Sequence, residues 1–343
     1  MQPTRRGLAV LLGALVATLL ASFLTLAPAS PGRAAVLASS AARHHHRHHA
    51  AHHTAHHAGH HTAHHAGRHH HRHRQPRHVT TQFKLATFNV LGSQHTLRPG
   101  GWGPGYVRAK VTARSIRRRK IDLIGLQEVQ ADQLRVLRRD MRGYRFWPGT
   151  GLGESGIPLQ IAWRTWKFKR VQSGWVRTPF DHHHRPTPWV KLRDLHTGRM
   201  VYVVDIHNSP GPRQQRSRYA ATGKQIRLVR QLRSHHRPVF VVGDMNEKRG
   251  FFCRFTGKTD LWAANGGSYR RGRCHAPAHS RIDWIMGSGP VTFSHYRHDN
   301  GFGVRFSSDH DLVRARVTMR VLRRPHHHRR HHGRQHGTRH HRH

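Results

Sequence analysis

The stretch Val241-Val242-Gly243-Asp244-Met245-Asn246-Glu247 ends an apolar run with a carboxylate and an amide two residues apart. A carboxylate fixed at such a point can orient or deprotonate water, and an amide beside it can hold a developing oxyanion. Six further polar residues border apolar runs in the same way. Asn89 closes "LATF", Glu128 follows "IGLQ", His207 follows "VVDI", Asp283 precedes "WIM", and Asp309 with His310 stands just before "LVRARV". Each alone has an ordinary structural explanation as a helix cap, an Asx turn or a satisfied buried imidazole. Together they supply carboxylate oxygens suited to a hard divalent cation, amides suited to an oxyanion, and imidazoles suited to proton transfer.

Elements must bring these residues to one place. "FKLATFNVL", "IDLIGLQEV", "IPLQIAWR", "FKRVQSGWV" and "PVFVVGDMN" read as strands, and "RIDWIMG" and "DLVRARVTMRV" close the set. "PWVKLRDLHTGRMVYVVDIHN" reads as a hairpin turning at His196-Thr197-Gly198. "YVRAKVTARSIRRRK", "ADQLRVLRRDM" and "RQQRSRYAATGKQIRLVRQLRSHH" carry helical spacing. Strands interspersed with helices, one hairpin among them, predict a mixed sheet or sandwich with outer helices in a single domain of about 245 residues. Strand ends converge on one rim of such a domain, so the polar set is expected to face a common cleft.

Six pieces occur in the order "TFNV", "LQEV", "DIHNSP", "GDMN", "RIDWI" and "SSDHDLV". In them the sequence resembles the endonuclease/exonuclease/phosphatase superfamily, which includes pancreatic-type deoxyribonuclease, apurinic endonucleases, bacterial sphingomyelinases and inositol polyphosphate phosphatases. The resemblance implies a four-layered α/β sandwich of two mixed sheets flanked by helices, and metal-assisted cleavage of a phosphate ester. It implies that Glu128 holds a divalent cation, Mg²⁺ or otherwise Mn²⁺ or Ca²⁺, with Asn89 and Asp309 completing or extending the site. Asp244 would orient or deprotonate the attacking water and Asn246 hold a phosphoryl oxygen. His310, paired with Asp283 or Asp309, would be a base or phosphate ligand, and His207 would protonate the leaving oxygen or stabilise the charge on the phosphate. Leu312 stands where the family often has proline, and Glu154 is the carboxylate considered for His207. His207 occupies a position where apurinic endonucleases usually carry tyrosine, which places the chain nearer the deoxyribonuclease and sphingomyelinase branches.

Charge narrows the substrate. The 343 residues include 60 lysines and arginines against 15 acids. All 15 acids lie between Asp122 and Asp311, and from Val79 to Pro325 46 basic residues against 15 acids leave a balance of +31. Such an excess favours a polyanion, nucleic acid above all, with Arg114, Arg117, Arg118, Arg119 and Lys120 contributing to the surface. A zwitterionic lipid gains little from it. A lipid phosphodiesterase would instead need an exposed aromatic loop, for which "GGWGPGY" is the candidate. A non-catalytic histidine-rich metal or polyanion binder is the alternative from a different class.

The ends read differently from the middle. Residues 1–29 have the layout of an export signal, with Arg5-Arg6, an apolar run and Ala27-Pro28-Ala29, so a secreted protein without a stable membrane anchor is expected. The arginine pair also fits a twin-arginine signal. Residues 30–78 and 326–343 are rich in histidine and free of acids, a composition expected to be disordered and suited to zinc, copper or nickel or to polyanions. Residues 79–325 remain as the catalytic domain, expected to be monomeric. The two cysteines, Cys253 and Cys274, are expected to form one disulfide in an oxidising compartment.

Overall fold

The computed structural model describes residues 78–96 and 101–322. The segments read as an export signal, as the histidine-rich stretch up to residue 77 and as the tail 326–343 lie outside the described residues. Two six-stranded sheets form the body. In chain order the strands and helices are β1 (His78–Asn89), α1 (Gly105–Arg118), β2 (Leu123–Gln127), α2 (Ala131–Asp140), β3 (Tyr144–Trp147), β4 (Leu159–Arg164), β5 (Phe168–Phe180), β6 (His183–Asp194) and β7 (Met200–His207). There follow α3 (Gln215–Arg233), β8 (Val239–Asp244), α4 (Arg249–Thr259), β9 (Trp262–Ala263), β10 (Ser268–Arg270), β11 (Arg273–His275), β12 (Asp283–Gly287), β13 (Val291–Asp299), α5 (Phe302–Ser307) and β14 (Leu312–Leu322).

The first sheet has the order β13-β14-β1-β2-β4-β3 and the second β5-β6-β7-β8-β12-β9. Each contains one parallel pair, β1 with β2 and β7 with β8, joined through α1 and α3, and the other pairings are antiparallel. Alternation along the strands builds the layers. Phe83 and Leu85 face inward and pack with Leu123, Ile161, Val203 and Val242, while Ala86 and Phe88 face outward against Ala109, Ala113 and Ile116 of α1 and Leu134 and Leu137 of α2. On the second sheet Val201 and Val203 face inward, and Tyr202, Val204 and Ile206 pack outward against Ile226 and Val229 of α3 and Phe251 and Phe255 of α4. Helices, sheet, sheet and helices therefore give the four-layered sandwich with mixed sheets that the resemblance implied.

Some elements depart from the sequence reading. The segment after Cys253, for which the sequence reading named no helix, begins inside α4, where Phe251, Phe252 and Phe255 are fully buried. The hairpin β10–β11 follows it, and the disulfide between Cys253 and Cys274, with Cα atoms 5.6 Å apart, ties β11 to α4. The strand β13 and helix α5 carried no clear periodicity: β13 is an edge strand with a register irregularity between Ser294 and Arg297, and α5 spans only six residues. The hairpin at His196-Thr197-Gly198 is present. Asp194 accepts hydrogen bonds there from the backbone N–H groups of His196 and Thr197. Among the described residues no helix is long and apolar enough to cross a membrane.

Candidate active site

Strand direction explains why the polar set meets. The parallel pairs β1–β2 and β7–β8 end on one rim, which puts Asn89, Glu128, His207 and Asp244 there. The antiparallel strands β12 and β14 start on that rim, so Asp283 pairs directly with Asp244, and His310 precedes the start of β14 beside β1. His207 pairs with Asp244 across the parallel register of β7 and β8. Gly243 makes this approach possible. Its φ is 140°, and a Cβ at that position would run into the carbonyl oxygen of Ile206.

A hydrogen-bonded network joins the two sheets. The Nδ2 group of Asn89 donates to Glu128 Oε1 at 2.8 Å and to Asp244 Oδ2 at 3.2 Å, and its Oδ1 accepts the N–H of Leu91 at 3.0 Å. The N–H of Gly92 donates to Glu128 Oε2 at 3.1 Å, with His95 Nε2 at 3.4 Å. Glu128 and Asn246 both have positive φ, 61° and 49°, at the points where the chain leaves β2 and β8. Asp244 Oδ1 accepts the N–H of Asn246 at 2.8 Å, and Asn246 Nδ2 donates to the carbonyl of Asn208 at 2.8 Å. His310 Nδ1 meets Asp283 at 3.0 and 3.2 Å, while its Nε2 stands 3.7 Å from Asp244 Oδ2. His207 Nε2 stands 3.6 Å from the same Asp244 oxygen and 3.9 Å from Glu128.

The profile of the Endonuclease/Exonuclease/phosphatase family matches residues 86–310, the span from β1 to the second active-site histidine. The chain belongs to this family. Solved structures of the same fold include a family protein from Bacteroides thetaiotaomicron, 19% identical with a TM-score of 0.56, covering 70% of this chain and 99% of that one. The human Nocturnin catalytic domain with bound sulfate is 17% identical with a TM-score of 0.54, covering 72% and 98%. D. rerio TDP2 complexed with a single-strand DNA product is 18% identical with a TM-score of 0.52, covering 69% and 99%. Comparison with curated proteins gives no match. Members of the endonuclease/exonuclease/phosphatase family are phosphoesterase hydrolases, and the site has the groups such chemistry needs.

Protonation distinguishes the two histidines. Burial pulls the His310 imidazole down, but the hydrogen bond and charge of Asp283, then Asp244 and Asp309, outweigh it and raise the pKa to about 10. His310 is thus an imidazolium at neutral pH. Burial and the charges of Arg185, His310 and His95 hold His207 well below the usual imidazole range, so it is neutral. Arg185 donates to His207 Nδ1 at 3.1 Å, which leaves the ring proton on Nε2, facing the carboxylates. Burial, then the charge of Asp283, pushes Asp244 up to about 7 against the pull of His310.

The oxygen-rich part of the site fits a hard cation. Glu128 is partly open to solvent, with 19% of its side chain exposed, and its carboxylate is the donor type Mg²⁺, Mn²⁺ and Ca²⁺ prefer. Asp309 is exposed at the mouth, its Oδ1 3.3 Å from Ser308 Oγ, whereas Asn89 presents its NH₂ rather than its oxygen to the carboxylates. Asp244, Asp283 and His310 also bring one ligand atom each within 4.8 Å of one another. Within that trio His310 Nδ1 is hydrogen-bonded to Asp283 at 3.0 Å, an arrangement able to pass a proton or, with the proton displaced, to hold an ion.

Sequence reasoning missed several supporting groups. Glu154 lies exposed in a turn at Glu154–Gly156; the carboxylates nearest His207 are Asp244 and Glu128, and its hydrogen-bond partner at Nδ1 is Arg185 on β6. Arg185 lies over the Phe180 ring, 3.4 Å from its centroid, with burial lowering its pKa to about 10 and its buried Nε without a hydrogen-bond partner among the described residues. Its place within "FDHHHRPTP" gives no signal until β5 and β6 are paired. Asn208 and Gln225 sit behind Asn246, Gln225 Nε2 donating to Asn208 Oδ1 at 2.7 Å. Fully buried Arg108 donates to the carbonyls of Val90 and Ser307 at 2.9 and 2.8 Å, and so ties the loop after Asn89 to the end of α5. Periodicity alone would place Arg108 on an ordinary helix face.

Proposed function

We propose that this chain is a secreted, divalent-metal-dependent nuclease that hydrolyses phosphodiester bonds of DNA or RNA. The observation that carries this reading is the meeting of Asp244, the His310–Asp283 ion pair and Arg185 at the rim of a domain whose sequence balance is +31. Asp244, with its pKa near neutrality, accepts a proton from the attacking water. His310 places its positive Nε2–H against a phosphoryl oxygen. His207, neutral and protonated on Nε2, donates a hydrogen bond to the same phosphoryl group rather than a proton to the leaving oxygen. Arg185 fixes that tautomer and adds positive charge. Asn246, anchored on the Asn208 carbonyl, holds a second phosphoryl oxygen in position. Glu128, with Asp309 at the mouth, would hold the cation, which when bound neutralises charge on the departing oxygen.

The disulfide supports export, since such bonds persist in oxidising compartments. Matching the N-terminus of the mature protein to the residue after Ala29 would test the signal directly. The function is tested with a panel of single- and double-stranded DNA, RNA and sphingomyelin vesicles, each with Mg²⁺ or Mn²⁺ and with EDTA, using Glu128→Ala as the blank. Nucleic-acid cleavage that EDTA and Glu128→Ala abolish is the expected result. Hydrolysis of lipid alone overturns it in favour of a phospholipid substrate.

A further inference from the structure

Beside the catalytic rim lies a groove of about 860 Å³ lined by Trp102, Asn300, Phe302, Arg305 and Phe306. Its aromatic side chains are left in solvent: Trp102 is 41% exposed, Phe302 87% and Phe306 39%. Phe302 and Phe306 lie one helical turn apart on α5, ring centroids 6.3 Å apart and tilted by 33°. Exposed aromatics so concentrated are uncommon on a charged, soluble surface and mark a binding site.

The groove is built into the catalytic rim. Phe306 stands three residues before Asp309. The buried Arg108 donates to the Ser307 carbonyl at the end of α5, to Val90 beside Asn89, and to Gly103 next to Trp102 at 3.3 Å. Ser308 Oγ donates to the Asn89 carbonyl at 2.7 Å and accepts the N–H of His310 at 3.0 Å. One guanidinium and one hydroxyl thus hold both the aromatic groove and the active-site loops.

We infer that this groove is a stacking platform for unpaired nucleobases of a single-stranded segment whose backbone runs into the active site. The inference rests on the nuclease reading and narrows its substrate. Every nucleobase offers a π-face to an aromatic ring, and Arg305 supplies both a cation for the adjoining phosphate and a planar group for stacking. A zwitterionic bilayer would leave Arg305 and the cationic excess of the domain unused, whereas a nucleic-acid strand engages both the rings and the charge. The volume of the groove falls in the range that accepts a nucleotide-sized ligand. In a duplex the π-faces are already stacked inside the helix, so the platform selects single strands or frayed ends.

The experiment measures binding by the full chain carrying Glu128→Ala, so that no cleavage intervenes. The probes are a labelled twelve-nucleotide oligothymidylate, an abasic deoxyribose-phosphate strand of equal length, the corresponding duplex, and neutral phosphatidylcholine vesicles. Adding Phe302→Ala or Trp102→Ala is expected to weaken oligothymidylate binding by roughly five- to a hundredfold, the range for losing a base–aromatic stack. Affinity for the abasic strand and the duplex is expected to stay unchanged, and Phe302→Tyr to restore the loss. Equal losses on base-bearing and abasic strands, or no loss on either, overturn the inference. Vesicle binding abolished by the same variants while oligothymidylate binding persists also overturns it and assigns the groove to a lipid surface. Because the readout is binding, absence of nuclease activity in the unmodified chain would defeat the functional reading without touching this result.

Discussion

At the scale of single residues, the neutral His207 and the charged His310 are set apart by their neighbours, an arginine for one and an aspartate for the other. Arg185 is therefore a positioning residue with a test of its own. Arg185→Met should lower kcat roughly a hundredfold, the scale of losing one preorganised donor to the developing charge, with little change in Tm. Arg185→Lys should recover part of that loss, since a single ammonium keeps the charge without the planar fork. The proton resonances of His207 give a second readout: removing the arginine takes away one of the charges that depress its pKa, so its titration should move upward. Equal activity of the methionine variant and the parent would remove Arg185 from the mechanism. The residues of the rim were legible as types at strand ends because a carboxylate, amide or imidazole interrupting an apolar run is visible in one dimension. Arg185, Arg108 and Asn208 were not, because their roles depend on which strands become neighbours and which side chains lose water.

At the scale of elements, the strands of the core announced themselves as short continuous apolar runs, since β2, β4, β8 and β12 are buried on both faces, and α1 to α3 by helical spacing. The edge strand β13, the six-residue α5 and the aromatic start of α4 gave no comparable pattern, since their burial is decided by packing onto other elements. Two junctions make separate predictions. Gly243 lies where β7 and β8 approach, with φ 140° and no room for a Cβ against Ile206. Gly243→Ala should destabilise the domain by about 3 kcal/mol or more through strain at that backbone, read as a fall in the denaturation midpoint. The second junction is Asp299, which accepts from Arg119 at 2.7 Å and from Arg314 at 2.5 Å and so ties the end of α1 to β13 and β14. Burial raises its pKa, but the hydrogen bonds of Arg314 and Arg119 outweigh that and hold it below the ordinary carboxylate value. A depressed folded pKa contributes stability above the unfolded value, near 4, and loses it as pH falls through the folded one. Asp299→Asn should thus cost about 2 kcal/mol at pH 7, the scale of hydrogen bonds to a charged group, and the gap to the parent should close on acidification below pH 4. A gap that persists undiminished in acid would show that the carboxylate charge is not what joins these elements.

At the scale of the whole molecule, the nuclease reading predicts that the distribution of charge decides how substrate arrives. The active site accounts for bond breaking, but the excess of +31 extends well beyond it. Arg114, Arg117 and Arg118 near the end of α1 are exposed, while Arg119 is committed to Asp299. The termini add histidine and arginine with no acid to offset them. Each phosphate neutralised releases counterions, so affinity for a long nucleic acid should fall steeply and linearly with the logarithm of salt concentration. Histidine charges as pH drops through about 6.5, so the terminal segments should strengthen that attraction in acid and contribute little at pH 8. Removing residues 30–78 and 326–343 should therefore leave kcat on a short oligonucleotide unchanged, weaken binding of a long strand at pH 5.5 in low salt, and make little difference at pH 8. Binding isotherms of the full and shortened proteins at the two pH values, repeated at high salt, test this. The same affinity for both proteins at pH 5.5 would mean that the histidine-rich ends do not act on the polyanion and that the folded domain alone gathers its substrate.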